Sequence, residues 1–164
     1  MRTIGLVAFL LIGTVGARFQ HDQGSDVVQQ LKARWAASCD YTLAVADQMP
    51  ADKYLFRPTP EQMTFGEQLL HISEQSRMIL REIQGLAPLE RTPVPIAKAD
   101  VVAHLNETTA LGSKLLQDRA AVAPAEMASL LNGMMLALDH TTHHRGQAVV
   151  YLRLNGITPP EYRR

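Results

Sequence analysis

Proline sets the frame of this chain. All nine prolines fall where a helix would have to begin or end, at 50, 58, 60, 88, 93, 95, 124, 159 and 160. A proline lacks the backbone N–H a helix interior needs and pushes its predecessor out of the helical region. Between these breaks lie long stretches with apolar residues three or four apart, and no stretch alternates as a strand would. The first helix is expected from about Asp26, capped by Ser25 or Asp26, to Gln48 before Pro50, with Val28, Leu31, Trp35, Cys39, Thr42, Ala46 and Met49 in one stripe. The second opens at Thr64, where Thr64-Phe65-Gly66-Glu67 is a capping box, and runs to about Gln84 before Gly85. The third spans about Lys98 to Arg119, with Val101, Leu105, Thr108, Gly112 and Leu115 facing inward. The fourth begins near Pro124 and ends at Leu154, where Asn155-Gly156 stops it and Pro159-Pro160 prevent resumption. Four amphipathic helices with no strands make an all-α chain, and a four-helix bundle is the architecture that buries their stripes.

The N-terminus has a different character. Arg2 precedes an apolar and small-residue run, Ile4 to Gly16, that exits through Val15-Gly16-Ala17. This is the pattern of a secretory signal peptide, here residues 1–17, with residues 18–164 as the mature domain. The run is shorter than the roughly 20 apolar residues of a transmembrane helix. Export to the periplasm or the extracellular space is expected, with no stable membrane insertion after cleavage. The whole chain has 16 basic and 16 acidic side chains, and Arg2 is the leader's only charge. Neither form builds the positive field that phosphate backbones require, so nucleic acid is excluded as an expected partner. Cys39 is the only cysteine, so no internal disulfide can form, and its place in an apolar stripe makes it a buried, inert thiol.

The chemistry concentrates in Asp139-His140-Thr141-Thr142-His143-His144-Arg145-Gly146-Gln147. His140 and His144 stand four residues apart, so both imidazoles leave the same face of the fourth helix and can share one divalent ion. The pair lies on the core side of the wheel, where two unpartnered imidazoles would be poorly solvated. His143 lies about 60° away on that wheel and reads as exposed or flanking. Arg145 reads as a surface or helix-terminus residue. Two histidines hold a metal weakly, so another helix has to supply a third ligand. On the residues alone His71, His104 and Glu67 all remain open. The wheel neighbours of His71 are Glu67, Gln68, Glu74, Gln75 and Met78, so taken by itself it reads as a solvated histidine.

The motifs resemble the DinB-like superfamily, which includes the YfiT-like metal proteins. The resemblance rests on Tyr54-Leu55-Phe56-Arg57-Pro58-Thr59-Pro60, on Thr64 to Ile72, and on His140-Thr141-Thr142-His143-His144-Arg145-Gly146-Gln147. It continues through Tyr151-Leu152-Arg153-Leu154-Asn155-Gly156-Ile157 and Pro159-Pro160, and so covers the mature chain in order. In that family one histidine of the second helix and two of the last bind a divalent metal, which here implies His71, His140 and His144. The resemblance also implies an up-down-down-up bundle with the metal in an open pocket, so the polar surroundings of His71 would line a wet cavity.

Three protein ligands leave positions for water or substrate, as in catalytic sites. Imidazole ligands suit Zn²⁺ or Ni²⁺. Glu67 and Gln147 are the candidate catalytic residues, one as a base beside His71 and the other orienting a ligand or water near the histidine pair. The family offers a metal-dependent hydrolase acting on an unidentified small molecule and, alternatively, a transferase or isomerase using a low-molecular-weight thiol. A non-catalytic metal-binding or stress-response protein is the reading from another class. DinB-like proteins are often dimers, so a homodimer is expected, packed through the fourth helix by residues such as Leu130, Met134, Met135 and Leu138.

Overall fold

The computed structural model describes residues 7–90, 93–119 and 122–162, with side chains described from Asp26 onward except that of Pro124. It contains helices α1 (Val7–Gln48), α2 (Phe65–Ile83), α3 (Lys98–Asp118) and α4 (Pro124–Leu154), and one 3-10 turn at Ala51–Lys53. The described residues form no strand. The chain is therefore all-α, as its periodicity demands.

Helix ends follow local chemistry. Thr64 Oγ1 accepts the Glu67 N–H while the Glu67 carboxylate accepts the Thr64 N–H, so the capping box is complete in both directions. α4 ends in a Schellman arrangement: the Ile157 N–H reaches the Leu152 carbonyl and the Gly156 N–H the Arg153 carbonyl. That turn needs Gly156 at φ +71°, a left-handed conformation costly for any residue with a Cβ. One boundary differs from expectation. α1 begins at Val7, not near Asp26, and the proposed cap at Ser25 or Asp26 lies inside the helix. No proline precedes Pro50, so no proline stops the helix at Val15-Gly16-Ala17. Residues 1–6, including Arg2, lie outside the described residues. No described helix is long and apolar enough to cross a membrane.

Each helix packs on two others: α1 on α3 and α4, and α2 on α3 and α4. Trp35 Nε1 donates to the Thr109 carbonyl and Lys98 Nζ to the Asp47 carbonyl, so α1 and α3 run antiparallel. Ser73 meets His104 while Arg77 meets Glu107, so α2 and α3 run in the same direction. These pairings are compatible with the up-down-down-up arrangement.

The core has two apolar ends. One gathers Val45, Met49, Tyr54, Phe65, Leu69, Val101, Tyr151 and Leu152. The other gathers Val28, Leu31, Trp35, Leu80, Leu116, Leu130 and Met134. Between them runs a buried polar belt of Thr42, Ser73, Ser76, Thr108, Thr141 and Arg145. Arg145 is thus interior, only 4% exposed, and not the surface residue expected. Its Nη1 donates to the Ser38 carbonyl, Ser38 Oγ and Thr42 Oγ1, and its guanidinium lies over the Tyr41 ring. Cys39 is buried as expected, and burial pushes its thiol up to about 11, too high for a reactive thiolate.

Candidate metal centre

α2 and α4 meet along the polar belt, and there the structure brings His71, His140 and His144 together. The ring centroids stand 4.9 Å apart for His71–His140, 4.5 Å for His71–His144 and 4.5 Å for His140–His144. One ligating nitrogen from each lies within 4.8 Å of the others. The Nε2 atoms of His71 and His140 are 3.2 Å apart. Two nitrogens on one tetrahedral ion at about 2.0–2.1 Å each stand about 3.3 Å from one another, so this spacing fits a shared ion. His140 Nδ1 is buried without a hydrogen-bond partner, an unsatisfied atom in a site otherwise rich in polar contacts.

The imidazoles are held in the form a metal needs. Burial and the neighbouring histidines lower the pKa of His140, and burial together with His140, His71 and His143 lowers His144 to about 4. Both rings are therefore neutral at pH 7, with a lone pair to give. His144 Nδ1 lies 2.6 Å from Gln68 Oε1, which acts as acceptor for the Nδ1–H and leaves Nε2 free as ligand.

Gln68 is the residue that sequence reasoning left without a role. It is 3% exposed, and its amide nitrogen donates to Gln147 Oε1 at 3.3 Å and to the Tyr151 hydroxyl at 3.4 Å. The signal was available, because Gln68 precedes His71 by three residues and shares its face of α2. A Gln68→Leu variant is expected to bind metal about 10–100-fold more weakly, the usual range for loss of a ligand-orienting partner. Titration of metal-free protein with a competing chelator measures this, and unchanged affinity would remove Gln68 from the site.

The other expected residues sort clearly. Gln147 contacts Gln68 and His143 Nε2, and so supports the site through Gln68. His143 is exposed, with its ring 4.8 Å from that of His144. Glu67 lines a cavity of about 400 Å³ that also touches His71, Glu74, Arg57 and Gln62. The polar face of His71 therefore borders a wet space. The Thr64 N–H holds the Glu67 carboxylate below the usual range. His104, the competing ligand, stays on the α2–α3 side, with Nδ1 2.7 Å from Ser73 Oγ. It does not join the three histidines.

The helices thus form an all-α bundle that brings one histidine of α2 together with two of α4. The sequence matches the DinB family over residues 22–163, and the chain belongs to that family. None of the curated proteins matches it. Among solved structures, a DinB-like protein from Bacillus cereus ATCC 10987 superposes with a TM-score of 0.65 at 18% identity, covering 81% of this chain and 95% of that one. A DinB-like protein from Bacillus subtilis, YjoA, gives a TM-score of 0.63 at 20% identity, with 82% and 98% covered. At these identities the likeness concerns the fold.

Proposed function

We propose that this chain is a metal-dependent hydrolase whose single divalent ion, Zn²⁺ or Ni²⁺, is held by His71, His140 and His144. The observation that carries the reading is the convergence of three imidazoles from two helices beside an open cavity of about 400 Å³. An ion so held supplies Lewis acidity and a nucleophile at neutral pH. The chain's own groups do the rest. Gln68 fixes the His144 ring, and the Gln147 amide fixes Gln68 in turn. Glu74 lies on the wall of the same cavity, where a carboxylate could serve a substrate as an acid–base group. Glu67 is occupied at the N-terminus of α2 and stays ionised, which suits it to orienting a substrate donor more than to shuttling protons. Pure protein stripped of metal, then reloaded with Zn²⁺ or Ni²⁺, is to be tested on an ester and amide panel with and without a low-molecular-weight thiol. Metal-dependent hydrolysis without thiol supports the reading. Turnover only with thiol replaces hydrolysis by group transfer, and no turnover in either arm rejects both.

The reading includes export and dimerisation. Export rests on the charged start, the apolar run and the Val15-Gly16-Ala17 exit. The face proposed for the dimer narrows in the fold: Leu130 and Met134 are fully buried within their own bundle, while Met135 and the neighbouring Leu136 are more than half exposed. Native protein is expected to start near Arg18 by mass spectrometry and to scatter light as a dimer. An intact Met1 on cytosolic protein counts against export, and a monomer mass constant with concentration counts against the dimer.

A further inference from the structure

On the side of α4 away from α2, a second cavity of about 430 Å³ lies between α1 and α4. Among the described residues two cations reach it, Arg145 from its inner wall and the exposed Arg34 from its rim, and no carboxylate lines it. Arg145 is 4% exposed and makes no ion pair among the described residues. A buried charge met only by neutral acceptors is an expensive arrangement. The guanidinium's contacts are also lopsided. Nη1 is saturated by Ser38 and Thr42, whereas Nη2 has a single contact of 3.4 Å to Thr142 Oγ1 and Nε has none among the described residues. The Nε–Nη2 edge is one of the two edges through which arginine makes paired hydrogen bonds to a carboxylate. The Tyr41 ring, 5.1 Å from Cζ, fixes the plane in which that pair would form.

We propose that this cavity binds a small organic carboxylate, gripped at its head by the Nε–Nη2 edge of Arg145 and drawn in by Arg34. The remaining wall suits such a ligand. Ala37 and Leu138 give it an apolar side for the body of the molecule. Tyr162, packed edge-on against Tyr41 at 5.2 Å, closes one side of it. A compact, more heavily hydrated anion such as inorganic phosphate gains nothing from the apolar side. The site is separate from the three histidines, which face α2, and it stands whether or not the metal centre is catalytic.

Nitrogen-15 NMR of the full chain, observing the Arg145 Nε–H, tests this with sodium benzoate and sodium phosphate as probes. Benzoate is expected to move that resonance saturably with a Kd at or below about 1 mM, and phosphate to bind at least about tenfold more weakly. Arg34→Glu is expected to weaken benzoate about tenfold or more by reversing the rim charge. Arg145→Lys, which keeps the charge but removes the fork and with it the observed Nε–H, is followed through the backbone amide resonances of the lining residues Ala37 and Thr142 and is expected to show no saturable benzoate shift. Arg34 is exposed, so its variant decides the matter even if Arg145→Lys does not fold. A shift that does not saturate, phosphate binding as tight as benzoate, or an unchanged Kd in Arg34→Glu would each overturn the proposal.

Discussion

Replacing His140 and His144 together by alanine is expected to take metal content from about one ion per chain to none. The two residues supply two of the three converging nitrogens, and His71 alone cannot hold an ion against water. The effect should also appear in stability. A ligand present at 100 times its Kd stabilises the folded state by about 2.7 kcal/mol, roughly 5–10 °C in Tm for a chain of this size. Wild type should show that rise on adding Zn²⁺, and the double variant should show none. Equal metal content in the two proteins would end the three-histidine assignment.

The same site sets a pH dependence whose sign follows from its depressed imidazoles. Above the ordinary value of about 6.5, His144 is neutral in the folded and unfolded chains and contributes no pH dependence. Between 6.5 and about 4 the unfolded chain takes a proton that the folded site refuses, so metal-free protein loses stability as pH falls across that window. Below about 4 both forms are protonated and the loss is complete. Protons therefore compete weakly with metal near pH 6, and release is expected below the ordinary imidazole range. Metal retention across an acid titration reads this directly. Release centred at 6.5 or above would contradict the burial of the site.

Much of this fold was legible because its signals are local. Proline positions and the Thr64–Glu67 box fix helix ends through backbone chemistry that needs no tertiary partner. The stripe Val28, Leu31, Trp35, Cys39, Thr42, Ala46 and Met49 is buried throughout, because one wheel face can meet only one core. The spacing of His140 and His144 is equally local. The third histidine of the cluster was not local. His71 has polar neighbours on its own helix, and only the approach of α4 distinguishes it from a solvated histidine. Family resemblance supplied what periodicity could not. Arg145 was misjudged for a related reason: a charged side chain is ordinarily outside, and its acceptors, Ser38 and Thr42, come from a helix about a hundred residues earlier. Leu130 and Met134 looked surplus on an isolated wheel because the inward face of α4 is wider than a single stripe.

The largest effect on stability is expected at Trp35. Its indole is 3% exposed, belongs to the core end holding Leu116 and Leu130, and donates from Nε1 to the Thr109 carbonyl at 3.1 Å. Trp35→Ala is expected to cost about 3–5 kcal/mol, a large share of the roughly 5–15 kcal/mol that holds a domain together. The reason the indole fits is Gly112 on α3. A Cβ at that position would stand 2.4 Å from both Cε2 and Cζ2 of Trp35. Glycine in a helix interior is normally about 0.5–1 kcal/mol worse than alanine, so Gly112→Ala would be stabilising if propensity decided. Here the ring is held by its hydrogen bond and its neighbours, and overpacking is expected to win, at a cost of about 1–3 kcal/mol. The sign should reverse once the indole is gone: in a Trp35→Ala background, Gly112→Ala fills space that is then open. Urea unfolding of the four proteins measures the coupling, expected between about 1.5 and 3 kcal/mol. Costs that simply add to within about 0.5 kcal/mol would show that α1 and α3 do not meet through this ring and this glycine.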